Sequence, residues 1–322
     1  MSNCRICAGD ISKEFEAREM MYGFRDTFIY QECSNCGCLQ IKNIPDNLYK
    51  YYPNNYYSYQ IPKKNVSSAF KETLRRVKDK YAIYKRGLLG KILWSLFPGD
   101  LRIQALSKLN VQADKKILDI GCGSGDLLKK LEKIGFKKLL GIDPYLKKDI
   151  TYSENLKILS KDFLEINDKF DLIMMHHSFE HIHNPKDVFS HLAQVLEDNG
   201  ICMIRIPVAD SWAYKHYASN WVQLDAPRHL YLHTDKSIEI LCQNSDLELV
   251  DKWRDSNEMQ FYGSEQYQKD IPLLDKRSYH GKCKGTIFNR SDIKRFKLEA
   301  KRLNESNQGD QAVYIIRKKN YL

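Results

Sequence analysis

The sequence predicts an α/β protein, a largely parallel sheet with helices on both faces, preceded by a small cysteine-rich module. Three observations predict it. The run Ile117-Leu118-Asp119-Ile120-Gly121-Cys122-Gly123-Ser124-Gly125 is an apolar strand ending in three alternating glycines, and Leu127, Leu128, Leu131 and Ile134 follow at helical spacing. Short apolar runs then recur at 139–142, 170–175, 200–207, 247–250 and 312–316. Two C-x-x-C pairs stand within the first 38 residues.

Taken from the N-terminus, the cysteines come first. Nine are present, an odd number in a chain with no apolar run before Cys4, which argues against a disulfide framework. Cys4 and Cys7 form one knuckle and Cys33 and Cys36 a second, with 25 residues between. Four thiolates from two tight turns suit a closed, structural zinc site, and Gly9 and Gly37 are placed for the positive φ such turns need. This zinc ribbon is assigned to residues 1–44, with Cys38 as a spare thiol. The segment 45–110 follows as a linker. It opens with six tyrosines between Tyr49 and Tyr59. Over 66–97 it becomes one or two amphipathic helices, weakened at Gly87 and Gly90.

The chain carries a formal charge of +10, and residues 63–91 hold ten Lys or Arg against Glu72 and Asp79. Such a tract serves an anionic partner (a nucleotide-sugar, a nucleic acid or an anionic membrane touched through residues 63–97) or is simply a solvated face over a segment packed on the core. No stretch approaches the length of a membrane span, so a cytoplasmic location is expected.

The glycine turn raises the question of its ligand. A dinucleotide turn reads G-x-G-x-x-G, whereas here the spacing is G-x-G-x-G and Asp126 stands where the last glycine would fall. Asp119 beside the turn would repel a pyrophosphate and suits a cationic, hydroxyl-bearing ligand such as S-adenosylmethionine (SAM). The stretch resembles motif I, hhDhGxGxG, of the class I SAM-dependent methyltransferases. The resemblance implies a seven-stranded Rossmann-like sheet over 111–322, with SAM as cofactor. It implies that Gly121 and Gly123 line the cofactor, that Asp143, followed by Pro144, accepts the ribose hydroxyls, that Asp162 meets the adenine amino group, and that His177 packs along the cofactor.

Further segments resemble the ribbon-bearing branch that methylates sugars in antibiotic and surface-glycan pathways: the "YY…YYS" run, Glu180-His181 in 176–185, and "LDxPRHLYxxT" at 224–234. The ribosomal-RNA methyltransferases with a ribbon lack the last of these, which makes nucleic acid an unlikely partner. The resemblance implies Tyr56 or Tyr57 reaching the active site, His181 as the base with Glu180 orienting it, His229 as a second candidate base, and Arg228 pairing with an anionic acceptor. Each also has a structural alternative, an aromatic clamp or an ordinary polar loop. Deoxysugar C-methyltransferases carry a further C-terminal domain, while this sequence ends at Leu322, so O-methylation of a sugar, nucleotide-sugar or glycan precursor is expected. RNA methylation and a non-catalytic SAM-binding scaffold are the alternatives. Aromatics around Gly263-Ser264-Glu265-Gln266 suggest a turn that meets a sugar face or caps the sheet.

Overall fold

The structure is a computed structural model and describes residues 3–53, 69–280 and 286–319. Tyr56 and Tyr57 lie outside the described residues. The chain divides into two compact units, a composite one (Met1–Tyr52, His177–Ala193, Ile204–Leu322) and a continuous-sheet one (Pro53–His176, Gln194–Met203). These units cut across the divisions at residues 44 and 110 read from the sequence.

The composite unit begins with antiparallel strands β1 (Ile11–Arg18), β2 (Thr27–Cys33) and β3 (Leu39–Ile41). Tyr30, Leu39 and Ile41 are fully buried and give this small sheet an apolar centre.

The second unit holds β4 (Lys116–Ile120), β5 (Lys138–Ile142), β6 (Ile150–Thr151), β7 (Leu156–Leu159), β8 (Phe170–His176) and the first residues of β9 (Leu196–Pro207). Their order is β9-β8-β4-β5-β7-β6, with β4 parallel to both β5 and β8. Ile117, Leu118, Ile173, Met174 and Met175 are all buried, which is why these strands read as unbroken apolar runs: a parallel sheet is covered on both faces. The two-residue β6, antiparallel to β7, is an addition that the seven-strand expectation did not include. The helix Asp126–Ile134 buries Leu127, Leu128, Leu131 and Ile134, as the spacing predicts. The amphipathic stretch forms two helices, Ala69–Tyr84 and Leu88–Leu96, parted at Gly87 with φ 99°. Its expected packing on the core holds for Ala82 and Ile83, which are buried, and for Tyr84, which stacks on Phe136; Gly90 is buried against Tyr81, and Leu88, Leu89, Ile92 and Leu96 are exposed.

The chain returns to the composite unit through the last residues of β9. There β10 (Tyr231–Leu232) joins the N-terminal sheet, whose order is β1-β2-β3-β10. The antiparallel pair β11 (Leu247–Arg254) and β12 (Gln311–Lys318) gives the order β11-β12-β9. Residues 261–267, expected as a turn, lie in the helix Met259–Gln268. Gly263 and Ser264 are packing residues there: a Cβ on Gly263 would stand 2.6 Å from Val222 Cγ2, and Ser264 Oγ accepts from Val222 N at 3.0 Å. Among the described residues, no helix is long and apolar enough to cross a membrane.

Candidate functional site

In the second unit, β4 runs into the glycine turn. Gly121, Gly123 and Gly125 have φ of 69°, 53° and 75°, the left-handed region that a side chain would strain. The turn is tied to the end of β5 by Asp143, whose carboxylate accepts from Gly123 N and Tyr145 N, each at 3.0 Å. Pro144 follows, exposed. Asp119 is buried behind the turn. Burial pushes its carboxyl up to about 7, with Arg102 drawing it down and Asp143 raising it further. A cationic ligand beside Asp119 would favour its ionised form. Asp162 is exposed and uses Oδ1 to accept from Leu164 N at 2.9 Å, capping the turn Phe163–Glu165. Asp119, Gly121, Gly123 and Asp143 thus form one cluster around the strand ends β4 and β5.

In the composite unit, Glu180 is fully buried, and neither of its carboxylate oxygens has a hydrogen-bond donor. His177 Nδ1 comes to 3.3 Å of Oε1, in the range of an ion pair but out of hydrogen-bond geometry. Burial would raise the carboxyl, yet His177 and the fields of His181 and His229 hold it down at about 2. His181 Nδ1 lies 2.8 Å from Arg228 O. A carbonyl only accepts, so Nδ1 carries the proton and Nε2 is left with its lone pair. His229 is fixed in the same tautomer by Gln223 O, 2.7 Å from its Nδ1. Its Nε2 then stands 3.9 Å from Glu180 Oε1 and 3.8 Å from Asp225 Oδ2. The two imidazoles meet edge-on with centroids 4.8 Å apart. Burial pushes the His181 imidazole below its ordinary value, His229 adding to the effect, so it stays neutral.

One expectation changes here. Arg228 does not present itself to an acceptor. It is fully buried, with its guanidinium paired to Glu19 at 2.8 Å and Asp225 at 2.6 Å and donating to Tyr51 O at 3.2 Å. His177 sits between Arg205 and Glu180, its Nε2 accepting from Arg205 at 2.6 Å. Three participants escaped the sequence reading. Glu19 is fully buried, accepts from four successive backbone N–H groups, Met21 to Phe24, and holds Arg228. Asp225 clamps Arg228 from the other side. Tyr52, in the tyrosine run, brings its hydroxyl to 3.2 Å of His181 Nδ1.

The cysteines gather as the two knuckles require. Sγ of Cys4 and Cys36 are 3.7 Å apart and those of Cys7 and Cys33 3.4 Å, and all four sulfurs lie within 4.8 Å of one another. A tetrahedron with Zn–S of about 2.3 Å has edges of about 3.8 Å, so the donor set fits zinc. The hydrogen bond from Cys36 holds the Cys4 thiol down to about 5, so Cys4 is readily a thiolate. Cys38 is buried outside the four, its thiol donating to Leu39 O. Gly37 has the expected positive φ of 69°, but in the first knuckle Ala8 takes that conformation, φ 58°. Gly9 serves a close approach instead, since a Cβ there would meet Asn35 Cβ at 2.9 Å.

Residues 98–252 match the family model described as a methyltransferase domain. They are a methyltransferase domain. Asp119, Gly121, Gly123, Asp143, Pro144, Asp162, His177, Glu180, His181 and His229 all lie within it, and the zinc-ligand candidates, Glu19 and Tyr52 lie before it. The methyltransferase domain has the α/β fold of enzymes that use SAM. A curated relative, the mitochondrial ubiquinone biosynthesis O-methyltransferase of Dictyostelium discoideum, is 27% identical over 108 residues, covering 27% of this chain and 34% of that protein. The match spans about a third of that relative's length. Among solved structures, a complex of the Haloferax volcanii Trm112 methyltransferase activator with a methyltransferase matches with TM-score 0.46 and 14% identity, covering 79% of this chain and 97% of that chain. A SAM-dependent methyltransferase from Archaeoglobus fulgidus matches with TM-score 0.41 and 17% identity, covering 71% and 99%.

Proposed function

We propose that this protein transfers the methyl group of SAM to a hydroxyl oxygen of a sugar, nucleotide-sugar or glycan precursor. The observation that carries the reading is the pair of imidazoles, each anchored through Nδ1 to a backbone carbonyl, beside the buried Glu180. A hydroxyl acceptor must lose its proton as the methyl arrives, and a neutral imidazole with a free Nε2 is a suitable base. SAM supplies an electrophilic methyl on a positively charged sulfur. Asp143 holds the ribose hydroxyls, Asp119 balances the positive charge, His181 takes the acceptor's proton, and Glu180 stabilises the imidazolium that results. The sugar acceptor rests on the sequence segments around Glu180-His181 and 224–234. The curated relative, named as an O-methyltransferase, supports oxygen as the atom methylated.

In the same reading, Cys4, Cys7, Cys33 and Cys36 hold a structural zinc, and the enzyme works in the cytoplasm. It touches an anionic membrane through the exposed Leu88, Leu89, Ile92 and Leu96 flanked by Lys85, Arg86 and Lys91, which would suit a lipid-linked acceptor. The test is methyl transfer from labelled SAM to a panel of nucleotide-sugars and glycan precursors by the full chain. His181→Ala is expected to lower turnover by about 10²–10⁴-fold with SAM affinity unchanged. A variant as fast as the wild type removes His181 as the base. Tight, steeply salt-dependent binding of RNA would favour the RNA reading instead.

A further inference from the structure

The geometry points to a second metal site, distinct from the four cysteines: Glu180, His181 and His229 bind a divalent transition-metal ion. One atom from each lies within 4.8 Å of the other two. Three features of the composite unit favour a cation there.

The first is the orphaned carboxylate. Glu180 is completely buried and its oxygens make no hydrogen bond of good geometry, His177 Nδ1 coming no nearer than 3.3 Å to Oε1. Burying a carboxylate without compensation costs several kcal/mol, so such a group is normally paired or on a metal. The second is the tautomers. Both histidines give their Nδ1 protons to backbone carbonyls, which turns the unprotonated Nε2 of each into the available atom. Metal-ligating histidines are characteristically held this way, the second nitrogen anchored and the first free to ligate. The third is spacing. His229 Nε2 is 3.9 Å from Glu180 Oε1 and 3.8 Å from Asp225 Oδ2, too far for a hydrogen bond. A lone pair facing carboxylate oxygens at that range is repulsive, whereas ligand atoms on either side of an ion at about 2.1 Å stand some 3–4 Å apart.

Local charge agrees. Glu19 and Asp225 share one guanidinium, that of Arg228, and Glu180 faces the imidazoles of His177 and His229, while Arg205 is matched by Asp255. Two imidazoles and a carboxylate favour ions of the zinc, cobalt, iron and manganese group over magnesium or calcium. His181 is only half-buried, which leaves an entry path and open coordination positions. The consequence rests on the proposed function: an ion here would bind the acceptor's hydroxyl oxygen and draw off its proton to solvent. With the ion bound, His181 and Glu180 are ligands and solvent is the base, so the base role of His181 belongs to the metal-free chain. The oxygen's electron pair forms the new C–O bond as the C–S pair returns to sulfur.

The experiment counts metal on the full chain, without SAM or acceptor, so its outcome is separate from that of methyl transfer. Chain stripped with chelator is reloaded with Zn²⁺ and analysed by elemental mass spectrometry. Wild type is expected to carry one more Zn²⁺ per chain than Glu180→Gln and than His229→Ala, each of which still melts in a cooperative transition. Reloading with Co²⁺ identifies the site, since the ion lost in the variants leaves the thiolate charge-transfer band of the cysteine site intact. Equal metal counts in wild type and the folded variants overturn the proposal. If Glu180→Gln and His229→Ala do not fold, a Co²⁺-loaded wild type whose entire spectrum is thiolate-bound overturns it equally. If the metal count stands and the acceptor panel is silent, the methyl-transfer reading fails alone.

Discussion

Asp143 and Glu180 are both buried carboxylates at candidate sites, and they differ in what surrounds them. Asp143 accepts from two backbone N–H groups, one in the glycine turn and one just beyond its own strand. Glu180 accepts from none. The first is organised by chain close to it in the fold and needs no ligand to be complete. The second is framed by groups that hold its neighbours, Arg228 O on His181, Gln223 O on His229 and Glu19 on Arg228, and is itself left open. The comparison teaches that a preformed binding turn can be assembled from backbone, whereas a reactive cluster is assembled from side chains whose own supports carry the cost.

The contrast breaks most severely at Arg228. Replacing it by Ala leaves Glu19 and Asp225 buried without their cation, and stability measured by urea unfolding is expected to fall by about 3–5 kcal/mol. A loss below about 1 kcal/mol would show that the frame of the histidine cluster does not depend on this pair. At the other site, Asp143→Ala removes charged hydrogen bonds from the turn and the proposed ribose acceptor. SAM affinity by calorimetry is expected to drop about 10–100-fold, with no comparable loss of fold stability. An unchanged affinity would detach Asp143 from the cofactor.

The smallest effect is a pH dependence at Asp119. Its folded pKa is raised to about 7, so in the free chain the protonated form is the one the fold favours. Its contribution to stability is present below the unfolded carboxyl range and is lost as pH rises through about 7. SAM binding, which in the proposed mechanism uses the ionised form, runs the other way. Affinity is expected to weaken by up to about tenfold per pH unit below that point. Asp119→Asn should flatten the profile, and a profile that keeps its slope would place the titrating group elsewhere.

The glycine turn was legible because its information is contiguous. Strand, alternating glycines and amphipathic helix follow one another within twenty residues, and the backbone conformation demands those residue types. The cysteine knuckles were legible for the same reason, the spacing within each being the geometry of one tight turn; only the choice between Ala8 and Gly9 for the left-handed residue went astray. The histidine cluster was legible in part. Glu180, His181 and His229 stand in recognisable segments, but Glu19 is a single acid in a loop and pairs with an arginine 209 residues later. No local periodicity records such a pair. Arg228 was misread because an arginine's fork fits a buried carboxylate as well as an acceptor's anion, and the sequence near it does not say which is present. Tyr52 was obscured by its neighbours, since a run of tyrosines does not reveal which of them meets a histidine.

The pairing of β3 with β10 has a temporal consequence. Leu39 and Gln40 hydrogen-bond to a strand 191–193 residues further along the chain, at Leu232 and Tyr231. At a synthesis rate of about 5–20 residues per second, that partner emerges from the ribosome some 10–40 s after β3 does. For that interval the small N-terminal sheet has a bare edge, the kind of surface on which nascent chains join one another. A metal that clamps the two knuckles early would hold the sheet in register until its last strand arrives. Supply of zinc during growth would then govern how much of the protein is recovered soluble, independently of any part the ion plays in the finished enzyme.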